Sequence, residues 1–312
     1  MTFQIHPKTN MSPETAYLAP EGFVDELVRE LGDGVREVHG RLVIAEGPEK
    51  AAAWAANIWR EPRRIPIASI GDAAKKLRAI QRNWALYDLA HHRRAALIVD
   101  NLPKVSAKPI AFGQPLPTAP LGSWTLLAPD LMLAAPSCSS AFPNGEPQFV
   151  EDRTSSPSRA YLKLWEAFTL LGVTPMKDEL CLDLGSSPGG WTWVLAGLGA
   201  RVISVDKAPL DPRIAAMPGV EYRAESAFGL DPRSAAVPAV DWLCSDVICY
   251  PPRLLALVQR WIAAGKARRF ICSVKFQAET DFAVIDAFKA IPGSRLLHLH
   301  HNKHELTWVK LS

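Results

Sequence analysis

Residues 180–210 constrain the fold of this chain more than any other stretch, because they have the pattern of one β-α-β unit. In order, they contain an apolar run that suits a buried parallel strand, a glycine-rich turn, an apolar helix, a β-branched strand and an acid: residues 180–184, 185–190, 191–198, 202–205 and Asp206. Gly199 stands where a helix usually ends. The stretch therefore predicts an α/β domain with a parallel sheet.

The glycine spacing of the turn indicates which ligand the unit would bind. The order is Asp183-x-Gly185-x-x-x-Gly189-Gly190, whereas the dinucleotide fingerprint is G-x-G-x-x-G, with an early second glycine that admits a pyrophosphate. A nucleoside without phosphates fits better, and S-adenosylmethionine is the common one, with Asp206 placed to bind its ribose hydroxyls. The alternative is an ordinary strand–helix turn whose glycines serve only packing.

Composition excludes some classes of protein. At 312 residues, the chain is long enough for two domains. No apolar run approaches a membrane span, and no basic-then-apolar signal peptide begins the chain, so we expect no membrane partner. The five cysteines form no C-x-x-C pair, which favours reduced thiols in a cytoplasmic protein. A net charge of +3 is too small to indicate a nucleic-acid partner by itself.

The first part of the chain has the signals of a small ferredoxin-like domain. After a polar leader at residues 1–15, the predicted order is β-α-β-β-α-β. The predicted elements are a strand at 17–19, a helix at 21–31, a hairpin at 35–45, a second helix at 48–59 and a strand at 64–70. We assign residues 1–108 to this α+β domain and expect it to dock RNA.

That expectation depends on residues 60–108, which contain eleven basic and four acidic side chains. Trp84 and Tyr87 lie among them on a predicted helix at residues 72–94. A basic patch with interleaved aromatic side chains suits an RNA backbone and its exposed bases. A solvated helix face whose aromatic side chains belong to the core explains the pattern equally well.

Two further regions complete the predicted organisation. Residues 109–149 are rich in proline and are predicted to form a linker that contains one hairpin, at 123–135. Residues 150–312 form the domain with the β-α-β unit. Its first helix is predicted to begin at Ser156-Pro157-Ser158, with a capping serine, and to place Lys163 and Glu166 away from its apolar face.

Several charged residues coincide with the ends of predicted strands in this last domain. Asp206, Asp246 and Lys275 end strands, and Glu305 begins the final one. Ligands of open α/β sheets bind at the carboxyl ends of strands, so these side chains and Lys163 are expected to converge. Like charge and burial would lower the pKa of a lysine there, so that it could take the proton of a ribose 2′-hydroxyl.

Residues 157–311 resemble the FtsJ-type ribose 2′-O-methyltransferases, and most closely the bacterial 23S ribosomal RNA cytidine 2′-O-methyltransferases of the RlmM family. The similar segments are PSRAYLKLWEAF, LDLGSSPGGWTW, VISVDKAPL, WLCSDV, FICSVKF and HELTWVKL. The resemblance implies a class I, Rossmann-like fold with a mostly parallel sheet and an antiparallel last strand. It also implies S-adenosylmethionine as cofactor and RNA, most closely 23S ribosomal RNA, as partner, with no obligate protein partner.

The resemblance also implies site residues. The catalytic Lys-Asp-Lys-Glu set of the family corresponds to Lys163, Asp246, Lys275 and Glu305, with Lys275 as the proton acceptor. The cofactor-binding residues correspond to Gly185, Ser187, Pro188, Gly189, Gly190, Trp191, Asp206 and Asp246.

The chain departs from the family in two places. The acid that the family places near the adenine is Ser226 here, preceded by Glu225. The N-terminal half is also too short for the full RNA-binding (THUMP) domain of the RlmM family. Alternatives are therefore a transfer RNA or messenger cap as substrate, or an RNA-binding protein without turnover. An NAD-dependent oxidoreductase is disfavoured by the glycine spacing.

A histidine cluster near the C-terminal end could suggest a metal site. It consists of His298, His300, His301 and His304. No cysteine or acid completes the set with a plausible spacing, so we predict no metal and a strand–turn segment whose histidines face phosphates.

Overall fold

The computed structural model describes residues 13–105 and 108–311, in two compact units. The first unit comprises residues Met1–Ala107 and Thr118–Glu146, and the second comprises Lys108–Pro117 and Pro147–Ser312. The segment predicted as a linker is thus divided between the units. Most of the predicted polar leader, residues 1–12, lies outside the described residues.

The first unit contains two sheets and three α-helices in its described part. Its elements are β1 (Glu14–Leu18), α1 (Val24–Leu31), β2 (Val35–His39), β3 (Leu42–Glu46), β4 (Asn57–Arg60), β5 (Arg63–Pro66), α2 (Ile70–Ile80), β6 (Trp84–Leu86), α3 (His92–Val99), β7 (Gly122–Ala128), β8 (Leu131–Ala135) and β9 (Ser137–Cys138). The strand orders are β2-β3-β1-β4-β9 and β5-β8-β7-β6. The predicted hairpin at 123–135 is confirmed as β7 and β8.

The predicted second helix of the ferredoxin-like order, residues 48–59, is wrong. The chain is irregular from 47 to 56 and then forms β4. The Glu30 carboxylate accepts hydrogen bonds from the backbone N–H groups of Ala53 and Trp54, at 2.8 and 2.9 Å. An acid from α1 therefore satisfies backbone donors that a helix would have satisfied internally, while the Trp54 side chain is fully buried.

The predicted helix at residues 72–94 is also wrong. This changes the role of the aromatic side chains in the basic region, residues 60–108. Helices α2 and α3 are separated by β6, which contains Trp84. Trp84 is buried and donates from Nε1 to the carbonyl of Leu77 at 3.0 Å. Tyr87 is buried as well, and its hydroxyl accepts the N–H of Arg41 at 2.8 Å. Both aromatic side chains therefore belong to the core, as in the alternative prediction that they pack inside and do not stack on RNA bases.

The second unit contains a seven-stranded sheet with helices packed against it. Its elements are α4 (Tyr161–Leu171), β10 (Leu180–Leu184), α5 (Gly190–Gly197), β11 (Arg201–Asp206), α6 (Pro212–Ala215), β12 (Val220–Ala224), β13 (Val240–Ser245), α7 (Pro251–Ala263), β14 (Ala267–Lys275), α8 (Phe282–Lys289), β15 (Ser294–Leu297) and β16 (Glu305–Lys310). The strand order is β12-β11-β10-β13-β14-β16-β15. The first five strands in this order are parallel, and β16 is antiparallel to both neighbours, as predicted.

The sheet register brings the predicted site to one edge. Leu184 is paired with Val205 on one side and with Ser245 on the other, so three strands end at the same level. Lys275 is paired with Glu305 across the antiparallel contact of β14 and β16. The residues that follow these strand ends therefore lie side by side.

The cysteines and the lengths of the helices can be compared with the expectations of reduced thiols and no membrane partner. The cysteines are all free thiols, at positions 138, 181, 244, 249 and 272. Among the helices of the described chain, none is long and apolar enough to cross a bilayer.

Candidate active site

Helix α4 carries Lys163 into the site, and its sequence explains how. All eight residues from 161 to 168 are buried, so both faces of this part of the helix contact protein. The predicted serine cap is wrong, because the helix begins at Tyr161 without a side-chain cap. Trp191 helps to fix this start, since its indole N–H donates to the carbonyl of Ala160 at 2.9 Å.

Four charged side chains meet at the sheet edge, although they are far apart in the sequence. Lys163 Nζ lies 2.6 Å from Asp246 Oδ1 and 3.1 Å from Glu305 Oε1. Lys275 Nζ lies 3.1 Å from Asp246 Oδ1 and donates to the Asp246 carbonyl at 2.5 Å. Asp246 is thus held between two lysines, and Lys163 between two carboxylates. We call this set the tetrad.

Burial and charge oppose each other within the tetrad. Burial alone would raise the pKa of Asp246, but Lys163 and Lys275 outweigh it and hold that pKa below its usual range. Burial alone would lower the pKa of Lys163, but Asp246 and Glu305 outweigh it and raise that pKa. The expectation of a lowered lysine pKa is therefore wrong for Lys163, because two carboxylates compensate its charge.

The tetrad opens on a cavity of about 860 Å³, which we call the lysine cavity. Its lining residues come from the segments around α4, β14 and the 300–305 loop: Gln148, Glu151, Arg159, Ala160, Leu162, Lys163, Ile248, Lys275, Phe276, Gln277, His300, His301, Lys303, His304 and Glu305. The Lys275 side chain is more exposed than that of Lys163, at 19% against 10%. Lys275 is therefore the lysine that a ligand in the cavity would reach first.

The carboxylate of Glu166, for which the sequence predicts no functional role, fixes one wall of the lysine cavity. Glu166 is 1% exposed. Its Oε1 accepts the backbone N–H of His300 at 2.7 Å, and its Oε2 accepts that of His301 at 3.0 Å. His301 Nδ1 also lies 2.7 Å from Oε2. Because α4 carries both Glu166 and Lys163, one helix positions the loop and part of the tetrad.

The histidines of this loop have separate environments. His298 is buried, and burial lowers its pKa to about 4, so it is neutral at pH 7. His304 Nε2 lies 2.8 Å from the hydroxyl of Thr280. His300, His301 and His304 line the lysine cavity, whereas His298 is not among its lining residues. The described residues contain no cluster of histidine, cysteine or acid side chains that could hold a metal ion.

A second, smaller cavity of about 200 Å³ lies at the ends of β10 and β11, and we call it the Asp206 pocket. It is lined by Gly185, Val205, Asp206, Lys207, Glu225, Ser226, Ala227, Phe228, Val247 and Arg253. The Arg253 guanidinium lies 3.8 Å from the centre of the Phe228 ring. The pocket thus combines acids at the strand ends with apolar walls.

The predicted glycine turn reaches this pocket, but its glycines also serve packing. A Cβ on Gly185 would lie 2.6 Å from Val247 Cα, one on Gly189 would lie 2.8 Å from Ile214, and Gly185 and Gly189 have φ values of +77° and +115°. Ser187 donates its N–H to Asp206 Oδ2 at 3.1 Å. Of the predicted cofactor residues, Gly185 and Asp206 line the pocket, whereas Trp191 is buried in the core.

Comparison with known proteins agrees with this architecture. Residues 157–288 match the sequence model of a family described as FtsJ-like methyltransferase. The match lies within the second unit. The boundaries of the match include α4, the glycine turn, Asp246 and Lys275, while Glu305 lies beyond it.

Curated relatives extend the likeness over about half of the chain. A protein of Aromatoleum aromaticum named "Ribosomal RNA large subunit methyltransferase M" is 34% identical over 193 residues, which cover 57% of this chain and 51% of that protein. A protein of Halorhodospira halophila with the same name is 36% identical over 175 residues, which cover 53% and 50%. The resemblance predicted from the sequence is therefore confirmed. The chain spans about half the length of the curated relatives it matches.

Asp183 of the second unit has an environment that predicts a pH-dependent stability. Asp183 is fully buried, and burial raises its pKa to about 7 although Thr192 Oγ1 donates to it at 2.7 Å. The folded state therefore holds this proton to higher pH than the unfolded state does. The stability that the group contributes is present below about pH 4 and is lost as the pH rises to about 7.

Replacing Asp183 by asparagine should remove this loss. Relative to the unchanged protein, D183N should gain unfolding free energy between pH 5 and pH 8, on the order of a few kcal/mol. Urea unfolding over that range measures the difference, with D286N at an exposed position as the control. A difference that does not vary with pH would contradict the assigned ionisation.

Proposed function

We propose that this chain transfers the methyl group of S-adenosylmethionine to a ribose 2′-oxygen of large-subunit ribosomal RNA, at a cytidine. The observation that carries the proposal is the tetrad of Lys163, Asp246, Lys275 and Glu305, three of which (all but Asp246) line the lysine cavity. A ribosomal substrate would also place the protein in the cytoplasm.

The Asp206 pocket has the donor set that the nucleoside part of S-adenosylmethionine requires. The Asp206 carboxylate stands at the end of β11, where it can accept hydrogen bonds from two ribose hydroxyls. Val205, Phe228 and Val247 supply apolar walls for an adenine. Glu225 lines the same pocket beside Ser226, so an acid is present where the family's adenine-side acid is replaced by serine.

The tetrad suits a reaction in which a hydroxyl loses a proton while its oxygen attacks. When bound, S-adenosylmethionine supplies a methyl group on a positively charged sulfur. Lys275, in its unprotonated amine form, would take the proton of the 2′-hydroxyl while the O–CH₃ bond forms and the S–CH₃ bond breaks, which would leave a neutral thioether and a protonated Lys275. Lys163 remains charged between Asp246 and Glu305 and orients Asp246, which in turn holds Lys275 in place.

Part of the predicted basic region remains available to bind RNA. Arg64 and Lys76 are engaged with acids of their own unit, Arg64 with Glu14 at 2.6 Å and Lys76 with Asp72 at 2.9 Å. Lys75, Arg82 and Arg93 are exposed. We propose that such exposed cations contact phosphates, without a stacking role for Trp84 or Tyr87.

The proposal is tested with purified protein, total RNA that lacks the modification, and S-adenosylmethionine labelled on its methyl group. After digestion to nucleosides, the label is expected in 2′-O-methylcytidine of 23S ribosomal RNA, and K275A should lose it. Label in transfer RNA or in a messenger cap would show that the substrate is that RNA and not ribosomal RNA. If the protein binds the cofactor but transfers no label, the alternative of an RNA-binding protein without turnover is supported instead.

Asp206 provides a separate test of the cofactor site. Replacing it by alanine should weaken binding of S-adenosylmethionine about tenfold to a hundredfold, because two charge-assisted hydrogen bonds to the ribose are lost. Isothermal titration calorimetry measures the affinity, and the exposed Asp286→Ala is the control. An unchanged affinity would exclude Asp206 from the cofactor site.

A further inference from the structure

The segment that joins β13 to α7 begins with Asp246 of the tetrad and displays two large apolar side chains. Ile248 is 77% exposed and Tyr250 is 67% exposed, which are the highest values among the large hydrophobic side chains of the described residues. They follow Asp246 by two and four positions. Exposure of this kind costs solvation free energy unless a ligand covers the side chains.

Neighbouring residues hold this segment in place. Cys249 is buried between the two exposed side chains. Tyr250 has extended backbone angles, φ −65° and ψ 140°, and Pro251 then begins α7. Val247, on the other side, packs within 3 Å of the position that a Cβ on Gly185 would occupy. Ile248 and Tyr250 therefore lie on a connection whose other residues, Val247 and Cys249, pack against the domain.

The surroundings of Ile248 indicate the chemistry of the ligand. Ile248 lines the lysine cavity together with the exposed Lys303 and several imidazoles. The acids of the same cavity wall are compensated, since Glu151 is paired with Arg159 at 2.8 Å and Glu305 with Lys163. An apolar side chain next to compensated acids and a further cation suits a strand of nucleic acid, whose bases stack while its phosphates meet the cation.

We infer that Ile248 and Tyr250 form a stacking edge for an unpaired RNA base next to the nucleotide whose ribose enters the lysine cavity. The inference rests on the proposed function and adds that the substrate is single-stranded, or opened, at this position. A ribose reaches Lys275 only if its nucleotide leaves the helical stack, and the neighbouring base then needs a new apolar surface. Tyr250 offers an aromatic face for that base, and Ile248 continues the surface into the cavity.

The test compares single-stranded and duplex RNA as probes. A fluorescein-labelled oligocytidylate of about 12 nucleotides and its duplex with oligoguanylate are titrated with wild type, Y250A, Y250F, I248A and M176A. Met176 is the matched control, because it is 64% exposed in the same unit and lies in the loop between α4 and β10. Y250A should bind the single strand about tenfold to a hundredfold more weakly, and Y250F and M176A should bind it like wild type. Affinity for the duplex should not change with Y250A.

Two results would overturn the stacking edge. One is a Y250A affinity for the single strand equal to that of M176A. The other is an equal loss for single strand and duplex, which would make Tyr250 a backbone contact. Equal cofactor affinity and urea stability of Y250A and wild type establish that the variant is folded; if Y250A is unstable, I248A is compared with M176A in the same way.

Methyl transfer separates this inference from the proposed function. With a single-stranded acceptor, Y250A should raise KM about tenfold or more and leave kcat nearly unchanged, because the base is bound equally before and during the reaction. If wild type places no label in a 2′-O-methylnucleoside, the proposed function fails, while the binding comparison still decides the stacking edge.

Discussion

Lys275→Ala should lower the single-turnover rate of methyl transfer to RNA by about 10²- to 10⁴-fold, which is the usual effect of removing a general base. Lys275 Nζ contacts both the carboxylate and the carbonyl of Asp246, and Lys275 is the more exposed lysine of the tetrad. Since Lys275 lines the lysine cavity and not the Asp206 pocket, the affinity for S-adenosylmethionine should remain within about twofold of wild type.

Lys275→Arg separates proton transfer from charge. Arginine keeps a positive group near Asp246 but does not release its proton at any pH used for the assay. If Lys275 accepts the proton, the arginine variant should be about as slow as the alanine variant. Substantial turnover in the arginine variant would assign Lys275 an electrostatic role, and unchanged turnover in both variants would remove it from the mechanism.

Lys163→Met should have the largest effect on stability. It removes the cation between two buried carboxylates, Asp246 and Glu305, and leaves Glu305 without its ammonium partner. Breaking a buried ion pair on one side costs about 3–5 kcal/mol of unfolding free energy. Urea unfolding at pH 7 measures this loss, with Lys177→Met at an exposed position of the same unit as the control.

The loss should depend on pH in a defined direction. The lowered pKa of Asp246 means that its contribution is present above about pH 4 and is lost as the pH falls through the folded-state value. The raised pKa of Lys163 means that its contribution is present below about pH 10 and is lost at higher pH. The difference between K163M and wild type should therefore be retained from pH 7 to about pH 4 and shrink as the pH falls below about 4. A difference that persists in acid would indicate a packing defect instead.

The sequence predicts the tetrad for a simple reason. Asp246 and Lys275 follow strand ends, and Glu305 begins the strand that pairs with β14, so the sheet register alone brings them together. Lys163 needs one further step, which is the packing of α4 against the sheet edge. Strand periodicity and chain order predict that Asp246 and Lys275 stand at strand ends and that Glu305 begins the last strand, and the structure places them there.

Other features could not be read from the sequence because they depend on single contacts between distant segments. Glu30 replaces a predicted helix with a loop by binding two backbone N–H groups. Trp84 becomes a core residue because Gln81 adopts an extended conformation at the end of α2, and β6 follows. The raised pKa of Lys163 requires two carboxylates at hydrogen-bond distance. The spacing of acids along the chain does not show how many of them lie beside Lys163 in the folded protein.

The anchoring of the 300–301 backbone by Glu166 has a consequence for how such a domain can change its acceptor. The anchor uses the main-chain N–H groups of residues 300 and 301, which every residue except proline provides, so these two hydrogen bonds do not depend on the identities of the neighbouring side chains. Lys303 lines the lysine cavity, whereas the tetrad consists of Lys163 on α4, Asp246 after β13, Lys275 on β14 and Glu305. Substitution at 303 should therefore change the cavity wall without removing the Glu166 anchor, and under the proposed function this is the position at which we expect a new acceptor preference to be introduced.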